Sequence, residues 1–151
     1  MIRSAAKFLL VLLVAALPAM AEHSPRDSSP APIINFSLPT FTIPDGYRSW
    51  LVRGSEAWMT GPDLIDVNGL TLTIFSGDAS NRIDTMLLSP AARVLPTEQI
   101  ITGNSTLRVI NLHDGFEATG ENWRCTLKEK TITLAKNVRV VLKAEFKNLL
   151  R

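Results

Sequence analysis

The chain has 151 residues, 46% of them apolar and 20% charged, a composition that suits one globular domain and excludes a low-complexity or strongly polyelectrolyte polymer. Its formal charge of +2 falls to zero without the first 21 residues, because Arg3 and Lys7 are two of the 16 basic residues while all 14 acidic ones lie beyond Ala21. The pI near 8.9 is therefore no argument for nucleic-acid binding, and none is expected.

Arg3 and Lys7 precede an apolar run of ten residues, 8–17, which Pro18 and then Ala19-Met20-Ala21 follow. A charged start, a short hydrophobic stretch and an A-x-A site describe a cleavable signal peptide over residues 1–21. The run is half of the roughly 20 residues a permanent membrane span requires, so removal is the preferred reading and an uncleaved N-terminal anchor the alternative. Residues 22–32 are polar and proline-rich and read as a disordered linker. Residues 33–151 then form a single domain. Charge is unevenly spread along the body: residues 22–123 hold six basic and twelve acidic side chains, residues 124–151 eight basic and two acidic. That split suits head-to-tail association, an anionic ligand near the C-terminal strands, or a solvated basic edge that discourages strand addition.

From Ile33 onward the pattern is short alternating segments between turn residues, the signature of an all-β chain of about eight to ten strands. Leu70, Leu72 and Ile74 alternate with threonines. Leu107 and Val109 flank Arg108; Trp123, Cys125 and Leu127 share one face; Ile132 and Leu134 share another. Apolar residues occupy 138, 140, 142, 144 and 146, with Arg139, Lys143 and Glu145 between them. Pro39, Pro44 and Pro96 punctuate the chain, and Asp45-Gly46, Asn68-Gly69 and Asp114-Gly115 are hairpin-turn dipeptides. Ser76-Gly77-Asp78 is a further turn. One brief helical turn is expected at Lys147 to Arg151.

An internal repeat lies within these strands. Laying residues 92–110 over 123–141, an offset of 31, matches Arg93 with Arg124, Glu98 with Glu129, Ile101-Thr102 with Ile132-Thr133, and Leu107-Arg108-Val109-Ile110 with Val138-Arg139-Val140-Val141. Residues 58–74 form a shorter, degenerate third copy. Stacked hairpin units bury a continuous core between neighbours, which points to an elongated, twisted β-jelly roll built from repeated antiparallel hairpin rungs.

The stretch from Phe116 through Gly120 to Trp123, the charged turn Lys128-Glu129-Lys130, Ile132-Thr133-Leu134 and Asn137-Val138-Arg139-Val140 resembles the β-jelly-roll domains of the periplasmic lipopolysaccharide-transport proteins, the LptC, LptA and OstA-like group. Residues 89–95 and 100–103 look like the preceding rung. The resemblance covers about residues 65–146; residues 33–61, with Trp50 and Trp58, do not match clearly. It implies a non-catalytic periplasmic adaptor or carrier in outer-membrane biogenesis, with an apolar groove that shields the acyl chains of lipopolysaccharide or a similar lipid. Edge strands would pair with other jelly-roll transport proteins, and an inner-membrane transporter would be a further partner. The inward face would include Ile83, Leu107, Val109, Trp123, Cys125, Ile132, Leu134, Val138, Val140 and Leu142, of which all but Cys125 are the candidate lipid contacts.

Chemistry-bearing constellations are missing from the sequence. Cys125 is the only cysteine, closes no disulfide and is expected to pack as a small buried hydrophobe. His23 falls in the linker and His113 beside the Asp114-Gly115 turn, so no metal-ligand spacing exists. There is no Gly-x-Ser-x-Gly elbow and no phosphate loop. Glu117 and Glu121 share a strand face, where solvated carboxylates are the expected reading over an acid and base pair. No enzyme, cofactor or metal is expected. The alternative function is a secreted carbohydrate-binding or hydrolytic β-sandwich, with Trp50, Trp58 and Trp123 as exposed platforms.

Overall fold

A computed structural model describes residues 30–143. The expected signal peptide, most of the linker and the C-terminal helical turn lie outside the described residues. Eight strands follow in order: β1 (Ile33–Phe41), β2 (Arg48–Gly61), β3 (Leu64–Phe75), β4 (Ile83–Leu95), β5 (Ile100–Gly103), β6 (Leu107–Asn111), β7 (Phe116–Thr126) and β8 (Thr131–Leu142). They form one antiparallel sheet in which each strand pairs with its sequence neighbour or with the next but one. The short strands β5 and β6 together replace one long strand. β4 pairs with β5 through Arg93–Leu95 and with β6 through Thr85–Leu88, and β7 pairs with both on the other side. β1 and β8 are the two edges.

Alternation along β2, β3, β4 and β7 breaks phase once, at the same level in each, while the inward positions of β8 stay even throughout. In β3 the buried residues are Ile65 and Val67, then Leu70, Leu72 and Ile74; in β4 they are Leu87 and Ser89, then Ala92 and Val94; in β7 Ala118 gives way to Trp123 and Cys125. A phase change requires one extra residue in an unusual conformation, a β-bulge. The residues there with positive φ are Asn35 (54°), Gly69 (62°), Asn122 (50°) and Asn137 (51°), glycine and asparagine being the types that enter the left-handed region at least cost. The register aligns these sites with Ser55, Pro90 and the Asn104–Thr106 break between β5 and β6, so that a line of bulges crosses the whole sheet. Asn68-Gly69 is thus a bulge inside β3 and not the hairpin turn its sequence suggests. The φ that suits a tight turn also suits a bulge, and the change from odd to even buried positions after Asn68 distinguishes the two. Pro90 sits in a central strand opposite Gly69, at the point where a missing N–H is tolerated.

The crease divides the sheet into a front half, residues 36–41, 48–54, 70–75, 83–89, 107–111, 116–120 and 138–142, and a back half made of the remaining strand segments. Inward side chains of both halves belong to one apolar cluster, from Trp50, Val52 and Leu72 in front to Val94, Ile101 and Trp123 behind. The sheet is therefore folded over so that its inner faces share a core. Lys130, in the turn after β7 at the back, donates from Nζ to the Phe75 carbonyl at the end of β3 in front, 3.3 Å away.

The hairpin repeat is visible in the backbone. Gln99 and Lys130, 31 positions apart, both close their turns at positive φ, 56° and 52°, and each N–H donates to the carbonyl three residues back, Pro96 at 3.2 Å and Leu127 at 3.3 Å. After each turn the chain runs up the back half, crosses the crease and continues into the front half as β6 or as the end of β8.

Cys125 is fully buried, and burial pushes its thiol up to about 12. At pH 8 the native protein is expected to resist a thiol-directed reagent, with labelling appearing only across the denaturant unfolding transition. Rapid labelling of the folded chain would contradict the closed core.

Candidate functional site

Where the front and back halves part at one end, a recess of about 350 Å³ opens between them. Its apolar lining is Ile74 from β3, Val109 from β6, Phe116 from β7 and Ile132 from β8. Each reaches it because the inward positions of its strand point there. Asp84, Asn111, His113, Asp114 and Lys130 ring the mouth. Most of these polar groups already have work to do in the fold. Asp84 pairs with Arg82 at 3.2 Å, the Asp114 N–H donates to Asn111 Oδ1 at 2.6 Å to shape the β6–β7 turn, and Lys130 bridges to β3.

The inner face does not stop at the recess. Val140 lies opposite Ala118 and Leu142 opposite Phe116 in the β7–β8 register. Ala118 is core, yet Val138, Val140 and Leu142 are 52%, 56% and 57% exposed. β8 is an edge strand, and among the described residues nothing covers its front segment. Its apolar side chains prolong the core face into an open stripe.

The nine candidate contacts therefore separate into groups. Leu107, Val109 and Trp123 are closed core, although Val109 also lines the recess; Ile132 and Leu134 are partly buried against that core. Val138, Val140 and Leu142 form the open stripe, and Ile83 is exposed at the start of β4, where its register with β3 shifts. Trp50 and Trp123 are buried and cannot serve as surface platforms, and Trp58 is half-buried on the outer side of the back half. The carboxylates at 117 and 121 are both engaged. Glu117 accepts from Arg108 and lies 3.4 Å from Lys143 Nζ, and Glu121 accepts from Asn137 Nδ2 at 3.1 Å. The hydrogen bond from Arg108 holds the Glu117 carboxyl below its ordinary range, which keeps it ionised and unsuited to general acid work. Among the described residues no three His, Cys, Asp or Glu side chains gather as metal ligands, and no helix is long and apolar enough to cross a membrane.

Fold and site together define a class: an all-antiparallel β protein whose creased sheet encloses one core and leaves its apolar inner face uncovered at one edge. No protein-family model matches the chain, and no curated protein is significantly similar to it. The likeness to the lipopolysaccharide-transport group rests on strand rhythm.

Proposed function

We propose that this chain is a non-catalytic periplasmic adaptor or carrier for lipopolysaccharide or a similar acylated lipid, built as a jelly roll of the LptC, LptA or OstA type. The observation that supports the reading is that the exposed stripe Val138, Val140 and Leu142 ends at Leu142 opposite Phe116, a residue of the recess wall. Apolar side chains left more than half in water on an edge strand are a surface that gains free energy by being covered, about 25 cal/mol for each Å² removed from water. An acyl chain lying along the stripe with its end in the recess covers both. The free edges of β1 and β8 are templates for strand addition, and through them the adaptor joins other jelly-roll transport proteins and an inner-membrane transporter. Engaged carboxylates and buried tryptophans give no support to a hydrolase or a carbohydrate platform.

Site-specific photo-crosslinking tests this. A crosslinker in place of Val140 or Leu142, on the inner face, is expected to trap added lipopolysaccharide, and one in place of Arg124, on the outer face of the back half, is not. Adducts at all three positions, or at none in a folded protein, would remove the groove reading.

A further inference from the structure

The outer side of the front half is a second surface, independent of the groove. One cross-strand row on it reads Arg53, Thr71, Leu88, Arg108, Thr119, Arg139 from β2 to β8. All six point outward, because their strand neighbours Val52, Leu72, Leu87, Leu107 and Ala118 are buried inside. At the usual spacing of about 4.8 Å between strands, the row is about 24 Å long. The neighbouring row places Leu51, Met86, Ile110 and Val141 beside it, with Glu117 as its single carboxylate.

Charge is segregated between the halves. The outer side of the front half carries Arg53, Arg108, Arg139 and, just past β8, Lys143, against Glu117 and, at its end, Asp84, which Arg82 pairs at 3.2 Å. On the outer side of the back half Arg93 and Arg124 stand against Glu56 and Asp66, and Arg93 pairs with Asp66 at 2.9 Å. Arg139 and Lys143 bring part of the basic C-terminal segment to this patch, and Arg53 and Arg108 come from earlier strands. The pairs Glu117 makes with Arg108 and Lys143 lie among side chains that are largely exposed, 53% for Arg108 and 60% for Lys143. Such pairs are weak and leave the cations available to a stronger anion.

We infer that the outer side of the front half docks on an anionic bilayer surface. The patch is two-dimensional: arginines spread across the width of the sheet with partly exposed leucine, methionine, isoleucine and valine in the adjoining row. A plane of negative headgroups can meet all the arginines together while the apolar row settles at headgroup depth. A soluble polyanion would engage the arginine row and leave the apolar row in water. Docking in this way leaves the inner face and the β8 stripe free.

The test uses the chain from Glu22 onward, which holds every residue of the single core, and vesicles free of lipopolysaccharide. Co-sedimentation with phosphatidylcholine vesicles containing about one-third phosphatidylglycerol is expected to exceed that with pure phosphatidylcholine, and to vanish at about 1 M salt, where charges are screened beyond about 3 Å. Replacing an arginine near an anionic surface lowers partitioning by about 5-fold, so R53A/R139A is expected to lose about 25-fold. R53K/R139K keeps the binding, and R93A/R124A, the matched removal of two charges from the back half, changes it by less than about 2-fold. Unfolding curves of all variants confirm that these exposed positions leave the fold intact. Equal binding to neutral vesicles, or a loss in R93A/R124A as large as in R53A/R139A, would overturn the inference. So would dextran sulfate binding as tightly as the vesicles with the same loss in R53A/R139A, since the surface would then read a charged polymer.

Discussion

Trp123→Ala is expected to lower the unfolding free energy by about 3–5 kcal/mol, a large share of the 5–15 kcal/mol typical of a domain. The indole is 3% exposed and lies over Gly103, its cross-strand neighbour on β5. A Cβ built at Gly103 would meet the ring at 2.6 Å, so the glycine is what lets the indole lie flat against β5. Truncation leaves a void between β5, β7 and β8 that the paired strands cannot collapse into. Trp123→Phe separates packing from polarity. Nε1 is buried without a hydrogen-bond partner among the described residues, and an unpaired buried N–H costs about 1–3 kcal/mol. Phenylalanine keeps a ring over Gly103 and removes that group, so it is expected to cost less than about 2 kcal/mol, the lost volume being offset by the relieved donor. Urea unfolding followed by circular dichroism gives both values. A phenylalanine variant as damaged as the alanine one would mean that the indole N–H is satisfied in solution. The pair also bears on the carrier reading, because Trp123 is structural: lipid adducts at Val140 should persist in Trp123→Phe.

Much of this arrangement is legible in the sequence because a sheet with one buried face writes itself as alternation. Leu107 and Val109, Trp123 and Cys125, Ile132 and Leu134 all occupy the inner face their spacing implies. Cys125 is buried as expected of an isolated thiol, and Asp114-Gly115 makes its turn with Gly115 at φ 69°. Alternation assigns a face and says nothing of what lies across from it. Val138, Val140 and Leu142 have the same pattern as Leu107 and Val109, yet they are exposed because β8 is an edge with no layer over its front segment. The recess is equally hidden, since its walls come from five strands and two turns brought together only when the sheet folds. The tryptophans illustrate the same limit: a large aromatic on a strand reads alike as platform or as core until its face is assigned. The crease was accessible in principle. Odd buried positions turn to even ones after Asn68, and even to odd after Gly120, each time at a residue that tolerates positive φ.

That phase change leads to the largest effect expected here. Deleting Asn122 is expected to abolish cooperative folding, whereas Asn122→Gly should change stability by less than about 1 kcal/mol. Asn122 is exposed and carries no side-chain hydrogen bond in the described structure, so its contacts cannot account for such a difference. What it supplies is one residue of phase at φ 50°. Glycine supplies the same phase and reaches that conformation without strain. Without the residue, β7 would alternate without a break, with Ala118, Gly120, Trp123 and Cys125 on one face, but it would be one residue short against partners that pair inward residue with inward residue, and a one-residue slip of register sets inward side chains opposite outward ones. Holding the front register would slide Trp123 to the level of Ala135 and Cys125 to that of Thr133 on β8, away from Gly103 and Leu134, and holding the back register would slide Ala118 opposite Arg139 and Glu117 opposite Val140. β7 has no alternative partner, being paired to β5, β6 and β8 at once, so either choice disrupts two interfaces, the one with β8 and the one with β5 or β6. A broad, non-cooperative urea profile with loss of the near-ultraviolet tryptophan signal is the expected readout. A sharp transition near the wild-type midpoint would mean that the bulge can migrate along β7, and the line of special residues across the sheet would then be a consequence of the fold instead of one of its causes.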